Sequence, residues 1–288
     1  MRFTPLKPCS VPVKPSQPSR PGGVLRALWT LCTPLKFEVL TPTDSGRSYR
    51  DRAPRGVPPR VDVYCPRGAG PHPSVVLVHG GGFLIGSRTL KPVRYLATRL
   101  VQAGFAVATP DYRLIFRGGR LDEAVDDVAT ALTWWRGQGA RYNLDTERIS
   151  VMGMSAGATL MWLALSRDEL AVDRIVSLFG LYDFGWLSDP RSAWLRRRLL
   201  QSPDLASWQS RSPLSHALID APCLLVHGDA DQMTPVNHAH DMKRTRDQAG
   251  LSTTLDIVGG ARHGFFNDAE DPVCEPCIAR IVRFLDAG

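Results

Sequence analysis

Ile149-Ser-Val-Met-Gly-Met-Ser155-Ala-Gly-Ala-Thr-Leu160 is the stretch that decides the fold. Ile149–Met152 is short, apolar and β-branched, as a strand buried on both faces requires. The Gly153-Met-Ser155-Ala-Gly157 cluster then forces a turn, and Leu160, Leu163 and Ala164 continue on one face of a helix. The run from 149 to 166 has no charged residue and is near the length of a membrane span. The glycines inside it favour a strand, a turn and a buried helix instead. A strand that bends sharply into a helix crowds its backbone, so the residues beside the serine must be tiny. Such a turn lifts the Ser155 hydroxyl above the sheet, and the helix N-terminus favours developing negative charge there. A Gly/Ser turn that only caps a helix would read alike in isolation. The strand before it and the helix after it favour a nucleophile.

The same rhythm extends in both directions. Further apolar runs occur at Val61–Cys65, Val75–Val78, Phe105–Thr109, Ile175–Leu178, Cys223–Val226 and Thr254–Val258. Helical patterns lie between them. Leu90, Val93, Ala97, Leu100 and Val101 share one face, as do Leu121, Val125, Val128, Leu132 and Trp135, with Asp122, Asp126 and Arg136 turned to solvent. Ile278, Ile281, Val282 and Leu285 form the last helix. Strands alternating with helices imply an α/β fold, with a mostly parallel sheet covered on both faces. The chemistry of such sheets sits at the carboxyl ends of the strands.

Chemistry is therefore expected in the residues directly after each strand. After Val75–Val78 comes His79-Gly-Gly-Gly82-Phe83. Unshielded glycine amides suit the oxyanion of acyl transfer, where one donor is worth roughly 2.7–4 kcal/mol. Gly81 and Gly82 are assigned that role, with Ala156 behind the nucleophile. His79 is expected to hold this loop by hydrogen bonds rather than to act as the base.

A serine needs a histidine to take its proton and a carboxylate to orient that histidine. The seven histidines are 72, 79, 216, 227, 238, 240 and 263. Order along the chain and position past the last strand favour His263, in Gly259-Gly-Ala-Arg-His263-Gly-Phe265. His238 and His240 read as exposed positions on the helix after Pro235. Gly228-Asp229-Ala-Asp231 offers two acids. Asp231 is preferred, because Asp229 sits in the tight turn and can bond its own backbone. An imidazole base of ordinary pKa, about 6.5, predicts activity lost towards acid pH.

Together these residues resemble the α/β-hydrolase superfamily, and within it the bacterial esterases and lipases related to hormone-sensitive lipase. The resemblance runs from about residue 60 to the C-terminus. It rests on His79-Gly-Gly-Gly82, Asp111-Tyr-Arg-Leu114, Asp126-Asp127, Gly153-Met-Ser155-Ala-Gly157, His227-Gly-Asp-Ala-Asp231 and His263-Gly-Phe265. It implies an α/β-hydrolase fold and hydrolysis of carboxylic esters without cofactor or metal. It also implies Ser155, Asp231 and His263 as a triad, with Gly81, Gly82 and Ala156 as oxyanion donors. There are departures. The family often continues Asp-Tyr-Arg-Leu with Ala-Pro-Glu, where Ile115-Phe116-Arg117 stands here, and often has glycine where Ala158 stands.

Between Gly180 and Ala221 the rhythm stops. This insert, about 181–221, carries Trp186, Trp194, Trp208 and Arg196-Arg-Arg198 and is expected to cap the site. Its aromatic residues either line an acyl or alcohol pocket or pack the cap onto the domain. The arginine run reads as a solvated helix face. A cap this small favours short or medium acyl esters. An amidase, an arylformamidase or an exopeptidase on the same triad is the alternative. A non-catalytic binding module is a third reading, disfavoured because no triad member is missing.

Composition sets the outer bounds. The chain has 288 residues, 43% hydrophobic and 22% charged, which is ordinary for a globular protein. Its formal net charge is +7, but residues 1–36 hold six basic residues and no acid, leaving the remainder near neutral. A nucleic-acid footprint is not expected. Residues 1–36 read as a basic, proline-rich, disordered tail. Residues 41–60, rich in Arg, Pro and Gly, read as a loop, and 37–288 as one catalytic domain. No signal peptide or membrane span is recognised, so a cytoplasmic location is expected. The expected partner is a small ester, and no oligomer is specified. Among six cysteines only Cys274-Glu-Pro-Cys277 has a suggestive spacing. With no further ligands nearby, it reads as two thiols at the start of the last helix and not as a metal site.

Overall fold

The computed structural model describes residues 37–50, 59–167, 170–202 and 204–287. The expected tail, residues 1–36, lies outside the described residues. The strands are β1 (Asp44–Ser48), β2 (Arg60–Tyr64), β3 (His72–Val78), β4 (Ala106–Pro110), β5 (Leu144–Met154), β6 (Ile175–Leu178), β7 (Cys223–Gly228) and β8 (Thr253–Val258). They form one sheet in the order β1-β2-β4-β3-β5-β6-β7-β8. β1, β2 and β4 pair antiparallel, and all pairings from β4 through β3 to β8 are parallel.

Each of the seven apolar runs falls on a strand, with only Cys65 and Phe105 just outside β2 and β4. Side-chain alternation explains why continuous runs were needed. Val76, Val78, Val151, Ile175 and Leu225 face one core, which they share with α2 (Leu121–Arg136) and α4 (Ala156–Arg167). Val75, Leu77, Met152, Val176 and Leu224 face the other, with α1 (Lys91–Gln102) and α8 (Cys274–Asp286). Between α2 and α4 lies the single turn α3 (Gly139–Tyr142). No helix among the described residues is long and apolar enough to cross a membrane.

Four expectations need correction. Residues 41–60 are not one loop, because Asp44–Ser48 forms the antiparallel edge strand β1. Its polar sequence hides it. Buried Asp62 of β2 fixes it by accepting from the Gly46 amide at 2.7 Å and the Ser45 hydroxyl at 3.0 Å. The arginine run is not wholly solvated, since the Arg196 guanidinium lies 4.4 Å from the centre of the buried Trp208 ring and donates to the Leu187 carbonyl. His238 is buried at 8% exposure, and Trp186 of the insert stands edge-on to it with ring centres 5.9 Å apart. Asp229 does not bond its own backbone; it accepts from the Gly260 amide at 2.6 Å.

The insert between β6 and β7 contains α5 (Ala193–Leu199), α6 (Leu205–Ser210) and short 3₁₀ turns at Phe184–Ser188, Pro190–Ser192 and Pro213–His216. It is fastened to α4 by Thr159, whose hydroxyl donates to the Leu181 carbonyl at 2.7 Å. Within it, the Ser212 hydroxyl accepts from the Phe184 amide at 2.8 Å and donates to the Trp208 carbonyl at 2.9 Å. After it, α7 (Asn237–Gln248) links β7 to β8.

Candidate active site

Four loops at the carboxyl edge of the sheet meet: those after β3, β5, β7 and β8. Ser155 stands between β5 and α4 with φ of 51°, in the left-handed region that a non-glycine residue enters only when its surroundings hold it there. Its amide donates to the Leu178 carbonyl of β6 at 2.9 Å, and its carbonyl starts α4 by accepting from Thr159. Gly157 explains how close the helix comes. A Cβ there would lie 2.4 Å from the carbonyl oxygens of both Val78 and His79.

The glycine loop after β3 is therefore pressed against the serine turn. Gly81, at φ of 126°, accepts on its carbonyl from the amides of Leu84 and Ile85, both at 3.1 Å. A Cβ there would meet the Ile85 carbonyl oxygen at 1.9 Å. Among the described residues, the amides of Gly81 and Gly82 have no hydrogen-bond partner. Ala156 opens α4, where the first amides of a helix have no partner within it. His79 is fully buried and holds the loop on two sides. Its Nδ1 donates to the Gly80 carbonyl at 2.7 Å, and its ring stacks on Tyr112. Burial pushes its pKa down, so it stays neutral.

Ser155 Oγ lies 2.9 Å from His263 Nε2, and His263 Nδ1 lies 2.7 Å from Asp231 Oδ2. The Phe179 ring meets the imidazole edge-on, with ring centres 5.1 Å apart. Asp231 is 6% exposed. Its Oδ1 accepts from the amides of Met233 and Thr234, each at 2.9 Å. Burial alone would raise its pKa, but the bonds from His227 and His263 overcome this and hold the carboxyl well below the usual range.

Two neighbours of the acid were not assigned a role from sequence. His227, at the end of β7, donates from Nε2 to the Thr234 carbonyl at 2.7 Å and passes 3.3 Å from Asp231 Oδ2. The Thr234 hydroxyl lies 3.0 Å from both Asp231 Oδ2 and His263 Nδ1. The His-Gly-x-x-Asp spacing was a usable signal for His227, since it places that side chain at the strand end beside the acid. A hydroxyl three residues past an acid carries no such signal.

No group of three or more His, Cys, Asp or Glu side chains among the described residues is placed to hold a metal ion. Cys274 and Cys277 open α8 and are fully buried. Burial pushes the Cys277 thiol up to about 12, and Cys274 Sγ donates to the Asp268 carbonyl at 3.4 Å.

Comparison with known proteins agrees with this geometry. The esterase LipC of Mycobacterium tuberculosis is 29% identical over 219 residues, covering 68% of this chain and 53% of LipC. The chain spans about half, or less, of the length of the curated relatives it matches. Among solved structures, a truncated carbohydrate esterase from gut microbiota superposes with a TM-score of 0.72 at 20% identity, covering 88% of this chain and 97% of that one. Thermogutta terrifontis esterase 2, phosphorylated by paraoxon, does so at 0.68 and 21%, covering 84% and 92%. These two likenesses show the α/β-hydrolase fold. The family model BD-FAE matches residues 61–245. That match spans more than half of the chain, which therefore belongs to the BD-FAE family of α/β-hydrolases.

Proposed function

We propose that this chain hydrolyses carboxylic esters of small molecules through an acyl-enzyme on Ser155. The observation that carries the reading is the unbroken line from Ser155 Oγ to His263 Nε2 at 2.9 Å and from His263 Nδ1 to Asp231 Oδ2 at 2.7 Å. The esterase named among the relatives supports it.

In this mechanism the Asp231 carboxylate keeps the Nδ1 proton of His263 in place, leaving Nε2 free as a base. Ser155 Oγ attacks the ester carbonyl and its proton passes to Nε2. General-base help of this kind is worth about 10²–10⁴-fold. The amides of Gly81, Gly82 and Ala156 receive the oxyanion. The tetrahedral adduct collapses, and the imidazolium gives its proton to the departing alcohol. A water then loses its proton to His263 and attacks the acyl group. The second adduct collapses, the bond from the acyl carbon to Ser155 Oγ breaks, and the acid leaves. The imidazolium returns its proton to Ser155.

The small insert favours short or medium acyl chains. Within it Trp186 and Trp194 are half-exposed, which leaves apolar surface on the insert. The experiment is hydrolysis of p-nitrophenyl esters of graded acyl length by wild type and Ser155→Ala, beside an anilide and an N-formyl aryl amide. Wild-type turnover that peaks at short or medium esters and vanishes in Ser155→Ala supports the reading. Equal rates in the two proteins would remove it. Preference for the amides would replace it with the amidase reading.

A further inference from the structure

We propose that Thr234 is a positioning residue of the triad, its hydroxyl sharing the Nδ1 proton of His263 with Asp231; this rests on the triad reading above. The hydroxyl is buried and lies 3.0 Å from Nδ1, 3.0 Å from Asp231 Oδ2 and 3.2 Å from the Phe179 carbonyl. It has one proton to donate, so two of these contacts compete. Asp231 Oδ2 already faces His263 Nδ1 at 2.7 Å and His227 Nε2 at 3.3 Å. Among the described residues, the Phe179 carbonyl has no other donor. A buried carbonyl without a partner is costly, so the proton goes to Phe179. The oxygen lone pairs of Thr234 are then turned to His263 Nδ1.

Phe179 itself is held for this task. Its φ is 40°, its amide donates to the Val226 carbonyl at 2.8 Å, and its ring lies edge-on to His263. Strain of this kind persists only where the surroundings over-determine it. The strand end of β6, the acid loop and the base are thus tied through one hydroxyl. Its negative dipole end faces Nδ1–H, which becomes more positive when Nε2 takes a proton and the charge spreads over the ring. It therefore stabilises the imidazolium more than the neutral ring.

The ionisable groups around His263 are Ser155 on one side and Asp231 on the other. Behind Asp231 stands His227, and His238 on α7 also feels the Asp231 charge, together with Asp183 of the insert and Asp241 of its own helix. Arg262, next in sequence, is exposed.

The test is Thr234→Val, which keeps the shape and the amide bond to Asp231 but removes the hydroxyl. The rate of p-nitrophenyl acetate hydrolysis is measured against pH, and the His263 ring is titrated by NMR. We expect kcat to fall about tenfold with KM little changed. The acid limb and the NMR midpoint should both move to lower pH, by about half a unit or more. Thr234→Ser, which keeps the hydroxyl, should return both towards wild type, and Thr234→Ala should repeat the valine result if valine fails to fold. A limb and midpoint that stay in place, or that move up because the hydroxyl was bonded to Asp231, overturn the proposal. The NMR titration reads His263 whether or not esters are turned over. A wild type inactive on every ester, with the midpoint still shifted, would sink the esterase reading and leave Thr234 standing.

Discussion

Tyr112 lies flat against His79, with ring centres 4.2 Å apart and planes 15° apart, and its hydroxyl donates to the His79 carbonyl at 3.1 Å. One residue thus grips the start of the glycine loop by its ring and by its backbone. The loop after Tyr112 adds a third hold, where the Ile115 amide donates to the Phe83 carbonyl at 2.9 Å. If the amides of Gly81 and Gly82 receive the oxyanion as proposed, their aim depends on this clamp, because a donor that must reorganise during the reaction loses much of its value.

Tyr112→Phe should keep the stack and lose the bond. The buried His79 carbonyl then loses a donor, which costs about 1–3 kcal/mol of stability. Urea unfolding measures that cost. If the bond also steadies the glycine loop, p-nitrophenyl acetate turnover falls beyond what the unfolded fraction explains, and the wild-type rate per folded molecule would confine Tyr112 to stability.

Gly157→Ala tests the closeness of the serine turn to the glycine loop. The new methyl would lie 2.4 Å from two backbone oxygens, which no side-chain movement relieves. We expect a loss of about 1–3 kcal/mol, with the helix and the loop forced apart. Melting and ester turnover should both fall. A variant with wild-type melting and turnover would show that the elbow is looser than the distances imply.

Much of the architecture was legible in the sequence because strands buried on both faces must be continuously apolar. Val75–Val78 and Ile175–Leu178 could hardly be read otherwise. Asp44–Ser48 was misread because an antiparallel edge strand is held by its backbone and by Asp62, leaving no apolar pattern. Ser155 and the glycines of its turn were legible because steric need restricts those positions to few residue types. Ser155 and Asp231, which motif and order single out, each lie within hydrogen-bond reach of His263. Thr234 was invisible, since its contacts join three loops far apart in sequence. The burial of His238 was invisible for the same reason. Trp186, which covers it, belongs to the insert, where no periodicity guides a reading.

Asp231→Asn should separate stability from catalysis through pH. The carboxyl is held below its usual pKa in the folded protein. Its contribution to stability is therefore complete above the unfolded value, about 3.9, and is lost as pH falls through the folded one. The asparagine variant should be less stable than wild type at pH 7, and the gap should close below about pH 4. The rate at pH 7 should drop by about 10⁴, as when the acid of a comparable triad is neutralised. Denaturant melts across pH check the first claim and ester turnover the second. A gap that widens on acidification would contradict the assignment of the charged form.

Arg246 tests what holds the end of the insert. It is wholly buried on α7 and donates to the carbonyls of Ala217 at 2.7 Å, Ile219 at 2.9 Å and Ala221 at 2.7 Å. Its guanidinium also lies 5.2 Å from the centre of the Trp162 ring. Arg246→Met fills much of the space but leaves three carbonyls without this donor. The expected cost is about 3 kcal/mol or more in denaturant unfolding. A loss below about 1 kcal/mol would mean that water replaces the guanidinium.

Trp186→Ala connects the insert to a titration. His238 is 8% exposed, and burial lowers its pKa from the ordinary value. A histidine depressed in this way adds stability above its unfolded pKa, about 6.5, and loses it as pH falls through the folded value. The half-exposed Trp186 ring stands edge-on to this imidazole and forms part of its cover. Removing the ring lets water reach His238, so its NMR titration should move up towards the ordinary value. The loss of stability as pH falls below about 6.5 should shrink accordingly. The same change opens the insert side of the proposed site, so p-nitrophenyl esters with longer acyl chains should gain relative to the acetate. If His238 titrates as before, its cover comes from elsewhere in the fold. If the acyl profile is also unchanged, Trp186 plays no part in substrate choice.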